Sequence, residues 1–223
     1  MAEGHGTTVV GAANAAITDD RGNRGLRRSY NCRMNTQRFT QFLDTMDALV
    51  TRTAHEPTLL DEGESALKSL IANDDWLPPA YAMPFAERYQ SYALYIDPQA
   101  RYSVISFVWA PGHGTPIHNH TVWGLVGVLR GAERCEEFPV PGAGDMACTH
   151  AHELARGEVD RVSPAIGDWH KVSNAMTDQP SVSIHVYGAD IGRVHRNFWD
   201  ATTRELKPMV SGYSNDTPWI TAR

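Results

Sequence analysis

The chain has 223 residues, 42% of them hydrophobic and 21% charged, a composition that suits an ordinary globular domain with a substantial buried core. Its formal net charge of −6, with no dense block of Lys or Arg, argues against nucleic acid or an anionic membrane as the main partner. No apolar run is long enough for a membrane span, and the opening Met-Ala-Glu lacks the positive start of a secretory signal, so a cytoplasmic protein, monomeric or a small homo-oligomer, is expected.

Residues 1–34 are rich in Gly, Ala, Asn and Thr without a sustained period and read as a flexible arm. From Asn35 the pattern changes. Phe39, Phe42, Leu43, Met46, Leu49 and Val50 follow the spacing of an amphipathic helix, with Asn35 or Thr36 as its cap. A second helix is expected over Asp61 to Asn73, with Ala66, Leu67, Leu70 and Ile71 on one side and Trp76-Leu77-Pro78-Pro79 as its stop. A further helical turn is expected near Pro84 to Tyr89. The helical segment, 35–88, is expected to pack on a β domain made by 89–223.

From Tyr92 the character is β. YALYID, YSVISFVWA, TPIHNH, LVGVLRG, WHKVSNA and SVSIHVYG are short, β-rich and divided by Gly, Pro, Asn or Asp, which predicts a sandwich or barrel. The stretch from Pro139 to Asp160 has no clear period. Its His150-x-His152 pair lacks glycine framing and a partner at a matching distance, and is read as not binding metal. Cys32, Cys135 and Cys148 are odd in number and not spaced as zinc ligands, so they read as plain thiols.

The chemistry concentrates in GHGTPIHNHTVWGLVGVLRG. His118 and His120 stand two apart in a β-like segment, where both imidazoles leave one face and can share a metal ion. GDWHKVSN offers His170 as a third nitrogen ligand, and no acidic ligand is evident. Ser183, His185 and Tyr187 alternate along SVSIHVYG, so all three share one strand face, in an order that suits a hydrogen-bonded row ending in a phenol.

Gly112, His118, His120 and Gly131 resemble the first signature of the cupin superfamily, Gly-x5-His-x-His-x3,4-Glu-x6-Gly, except that Gly124 stands where the Glu would. Pro164, Gly167, His170 and Asn174 resemble the second, Pro-x-Gly-x2-His-x3-Asn, with one additional residue between Pro and Gly. Loss of the Glu with all three His retained is similar to the thiol dioxygenases, the cysteine dioxygenase family. TPIHNHTVWGLVGVLRG, GDWHKVSN and SIHVYG resemble in particular its bacterial 3-mercaptopropionate dioxygenase type, and the likeness runs from Tyr89 to Trp199.

The resemblance implies a mainly β cupin jelly-roll barrel behind an N-terminal helical segment, with Fe(II) held by His118, His120 and His170. It also implies a reaction that joins O2 to a small thiol to give a sulfinate. Charge supports this independently: three neutral imidazoles leave Fe(II) at +2, so a substrate thiolate can provide the negative ligand.

By the same resemblance Ser183, His185 and Tyr187 support the bound substrate and oxygen. Gly124 replaces the cysteine that some animal members crosslink to the Tyr, which implies a free phenol at Tyr187. The substrate carboxylate needs a cation, for which Arg196 falls at the spacing of the bacterial relatives, with Arg193 and His195 as alternatives. Gln90 and Ser91 stand near the early-strand substrate position. Asn119, between the two ligands, is expected to point away from the metal. The rival expectation is a cupin that binds a small acid or sugar through zinc or nickel, without redox chemistry, as a sensor or storage protein.

Overall fold

The computed structural model describes residues 35–142 and 146–221. The arm at 1–34, with Cys32, lies outside the described residues. Two helices come first, α1 (Thr36–Arg52) and α2 (Glu56–Ile71), then a 3₁₀ turn at Pro79–Tyr81. The strands are β1 (Gln90–Ile96), β2 (Ser103–Trp109), β3 (Ile117–His118), β4 (Gly124–Arg130), β5 (Ala132–Glu137), β6 (His150–Ala155), β7 (Val159–Val162), β8 (His170–Asn174), β9 (Ser181–Tyr187), β10 (Arg196–Asp200) and β11 (Glu205–Met209).

They form two sheets, ordered β1-β2-β9-β4-β7 and β11-β10-β3-β8-β5-β6. Side chains of one pack against the other: Trp109 of the first touches Cys135 and Val172 of the second, and Val126 and Val128 of the first touch Leu154 of the second. The two sheets make a mainly β jelly-roll barrel, with helices added at the N-terminal side.

Strand parity explains how the barrel can carry a polar interior. β9 is buried at every position. Val182, Ile184 and Val186 join Leu125 and Leu129 in the apolar layer under Phe39, Leu43, Met46, Leu67 and Ile71 of the helices. Ser183, His185 and Tyr187, one residue out of phase, therefore face the barrel interior. The helices cover the outer face of this sheet, which leaves its inner face free for chemistry.

The helical apolar faces are as expected, but two boundaries differ. The second helix begins at Glu56, with Pro57 in its first turn, where the missing N–H costs nothing and the fixed φ favours a helix start. Leu59 and Leu60 are thereby buried. The expected turn at Pro84 to Tyr89 is absent; the turn lies at Pro79–Tyr81. Met83 and Phe85 are 57% and 51% exposed, so that stretch has no buried apolar face to hold a helix.

Trp76 pins the helices to the barrel. It is fully buried, its Nε1–H donates to Leu70 O at 3.2 Å, and its ring stacks on Phe39 with centroids 5.1 Å apart. Trp76→Ala is expected to lower unfolding stability by about 3–5 kcal/mol, read from urea denaturation.

Candidate metal centre

His118 ends β3 and pairs directly across the sheet with His170, the first residue of β8. His120 lies beyond the end of β3, not on it as alternation along one strand implies, and the next residue, Thr121, has a φ of 63°. What brings His120 back to the other two is Asp168. Its carboxylate accepts from the backbone N–H of His120 at 2.9 Å and of Thr121 at 2.8 Å, and from His120 Nδ1 at 2.9 Å. The three imidazole centroids stand 4.8 to 4.9 Å apart.

The ring nitrogens sort themselves. His118 Nδ1 is 3.0 Å from Pro116 O, a carbonyl that can only accept, so Nδ1 carries the proton. Asp168 does the same for His120, and His170 Nδ1 lies 3.7 Å from Cys135 Sγ. Each ring is thus engaged through Nδ1, and His120 Nε2 is buried without a partner. The three offer ligand atoms within 4.8 Å of one another. Burial holds all three imidazoles well below the usual histidine range, and Arg196 adds to it. Three neutral nitrogens converging on one point fit a divalent transition metal, with a carboxylate orienting one ligand from behind.

The Ser183 row lies beside this group. Ser183 Oγ and His185 Nε2 are 2.8 Å apart, as are His185 Nδ1 and Tyr187 Oη. Tyr187 stacks on His120 with centroids 5.1 Å apart, and burial pushes its phenol well above the usual tyrosine range. Gly124 makes room for it: a Cβ there would stand 2.7 Å from the Tyr187 ring. Asn119 turns away, accepting the backbone N–H of Asn197 at 2.8 Å.

A cavity of about 230 Å³ opens on His118, His170, His185 and Tyr187. Arg196 lines it from the start of β10; it is 7% exposed, donates Nη2 to Ser211 Oγ at 2.8 Å, and its buried Nε has no partner. Ser91 also lines the cavity. Gln90 does not. It sits on the opposite face of β1, where its amide donates to the carbonyls of Arg88 and Tyr89, both at 3.2 Å. Arg193 and His195 are exposed and lie off the cavity, and Arg193 pairs with Asp190 at 3.5 Å.

Several contributors escape the sequence reading. Asp168 stands two before His170, and an Asp-x-His spacing beside a ligand strand is the signal that could have found it. Arg88, Tyr89 and Trp109 line the cavity as well, the two aromatic rings 4.7 Å apart. His150-x-His152 stays apart from the three-histidine group. Contrary to the reading that it has no partner, His152 lies among Cys135, Asp160 and Glu137, with Nε2 2.7 Å from Asp160 Oδ2. Cys135 and Cys148 are free thiols.

Residues 63–198 match the family model for cysteine dioxygenase type I. Cysteine dioxygenase type 1 of Rattus norvegicus and of Mus musculus are each 26% identical over 128 residues, 55% of this chain. The chain spans 63% of the length of these curated relatives. Among solved structures, a cupin-like protein from Thermotoga maritima has a TM-score of 0.40 at 18% identity, covering 64% of this chain and 92% of its own. A cupin 2 conserved barrel domain protein from Rhodopseudomonas palustris has a TM-score of 0.41 at 18% identity, covering 54% and 77%.

Proposed function

The chain belongs to the cysteine dioxygenase type I family, and on that premise we propose that it is an Fe(II)-dependent thiol dioxygenase acting on a small thiol carboxylate. The observation that carries this reading is the convergence of three neutral imidazoles, with no carboxylate among them, beside a buried arginine whose Nε is free. His118, His120 and His170 would hold the ion. Bound there, Fe(II) would supply the Lewis-acid and redox chemistry for joining a thiol to dioxygen. The thiol and one O2 together contain all the atoms of the sulfinic acid, so no external reductant is consumed.

The remaining steps belong to the chain's own groups. Arg196 pairs with the substrate carboxylate, which replaces the partner its Nε lacks and sets the distance from carboxylate to sulfur. Ser91 borders the substrate as another part of the cavity wall. Tyr89, Phe107 and Trp109 exclude water along one side, which strengthens every charge contact inside. Ser183 and His185 hold the Tyr187 phenol in place, and Tyr187 presents a proton to the reacting oxygen or sulfur.

With a carboxylate reader and a metal but no acidic side chain among the described residues that line the cavity, 3-mercaptoalkanoates are the first choice of substrate, ahead of cysteine and mercaptosuccinate. The test is an oxygen electrode with iron-loaded protein and a panel of 3-mercaptopropionate, L-cysteine, mercaptosuccinate and cysteamine. Uptake with 3-mercaptopropionate at least about tenfold above L-cysteine in kcat/KM, a difference of about 1.4 kcal/mol, is expected; no uptake with any thiol contradicts the reading. Asp168→Asn, which weakens the support behind His120, is expected to reduce metal affinity by about ten to a hundredfold in a chelator competition.

A further inference from the structure

On the Nδ1 side of His170 stands a second group of metal-binding side chains, which the thiol chemistry does not use. Cys135 on β5, His152 on β6 and Asp160 on β7 bring one sulfur, one imidazole nitrogen and one carboxylate oxygen within 4.8 Å of one another. Cys135 is 6% exposed and its thiol is free. His152 and Asp160 are partly buried. Cys135, Asp160 and Glu137 border a cavity of about 120 Å³ of their own.

The backbone dictates this meeting. Cys135 and His152 are direct partners in the β5–β6 ladder, so their side chains leave one face side by side, as those of His118 and His170 do in the β3–β8 ladder. Asp160 arrives from β7, the last strand of one sheet, whereas β6 is the last strand of the other. No ladder joins β6 to β7 among the described residues, so an ion at this point bridges the two sheets between their edge strands.

Hydrogen bonds within the group leave it unsatisfied. His152 Nε2 is 2.7 Å from Asp160 Oδ2, yet its Nδ1 is buried without a partner. Among the described residues Asp160 and Glu137 pair with no Lys or Arg, whereas neighbouring Arg161 pairs with Asp61 and Glu64, and Lys171 with Glu136. Two carboxylates and a buried thiol thus gather without a fixed cation. A divalent ion placed here takes the position of the proton between His152 and Asp160, and one thiolate with one carboxylate balances its charge. The sulfur selects the metal: thiolate, imidazole and carboxylate together suit zinc, while the three-histidine group offers no soft ligand.

We propose that Cys135, His152 and Asp160 form a second metal site, distinct from the three-histidine group, which takes zinc and ties β6 of one sheet to β7 of the other. Metal takes up the thiolate, so the thiol proton passes to solvent on binding. The sequence reading denied His150-x-His152 a metal because no partner stood at a matching distance along the chain. The partners come from the strands on either side.

Cobalt(II) reports such a site, because a thiolate on cobalt gives a near-ultraviolet charge-transfer band that imidazole and carboxylate ligands do not. Full-length protein carrying Cys32→Ser and Cys148→Ser, which keeps Cys135 alone of the three cysteines, is dialysed against cobalt(II) chloride. The expected result is about two cobalt ions per chain and the thiolate band, which excess zinc removes. His152→Ala and Asp160→Ala are each expected to reduce the band to less than about a tenth and the cobalt content by about one per chain, with far-UV circular dichroism unchanged. Absence of the band before either substitution overturns the proposal, and cobalt bound without sulfur, as at the exposed group Glu137, His150 and His152, belongs to that outcome. A band that survives excess zinc, or that is unaltered in either variant, overturns it as well. The band is read without substrate, and a protein whose three-histidine group binds no metal or oxidises no thiol still shows it.

Discussion

His170→Ala is expected to leave the protein folded and empty of iron, with iron content after gel filtration falling from about one per chain to less than about a tenth and turnover falling to background. His170 faces the cavity and is not part of the apolar layer beneath the helices, so far-UV circular dichroism should keep its wild-type form. The two remaining imidazoles belong to one short segment, and His118 loses the cross-strand partner that completes the ligand set. The vacated space borders Cys135 Sγ, so added imidazole is expected to restore part of the metal binding by occupying it. Full iron occupancy in His170→Ala would remove this residue from the ligand set.

Arg196→Ala is expected to separate substrate recognition from metal binding. The guanidinium is buried, and its Nε has no hydrogen-bond partner. Removing one charge-assisted contact of this kind costs about 1.5–3 kcal/mol, or roughly ten to a hundredfold in kcat/KM. That loss should appear with 3-mercaptopropionate and be much smaller with cysteamine, while iron content stays at the wild-type level. Arg196→Lys keeps the charge but not the fork, and should recover only part of the loss. Equal losses for both thiols would make Arg196 a structural residue.

The parts of this site visible in the sequence are those that repeat a local geometric rule. His118 and His120 stand in a glycine-framed segment, and Gly112 and Gly131 take φ values of 81° and 73° that other residues rarely adopt. Ser183, His185 and Tyr187 reveal themselves because a strand alternates strictly, and their apolar neighbours must lie on the helix side. Strand parity also resolves the Gln90 and Ser91 pair, since adjacent residues cannot face one cavity, but choosing between them requires the register of β1 against β2, where Ser91 pairs with Phe107.

The less legible parts depend on contacts between distant segments. Asp168 acts on His120, 48 positions away, and an aspartate in a turn carries no local mark of that. β5, with the sequence AERCEE, does not read as a buried strand because Glu133 and Cys135 point into a polar barrel interior that exists only once both sheets are assembled. The helix start at Glu56 shifts for the opposite reason: Pro57 is a local start signal, and the burial of Leu59 and Leu60 favours the longer helix.

The central claim is that this cavity joins both atoms of one dioxygen molecule to a thiol sulfur. Iron-loaded protein supplied with 3-mercaptopropionate under 18O2, with the product weighed by mass spectrometry, tests it most directly. The account predicts a sulfinate in which both oxygens carry the label, formed in step with oxygen uptake and abolished by His170→Ala. A disulfide, an unlabelled or singly labelled product, or no product at all would contradict it.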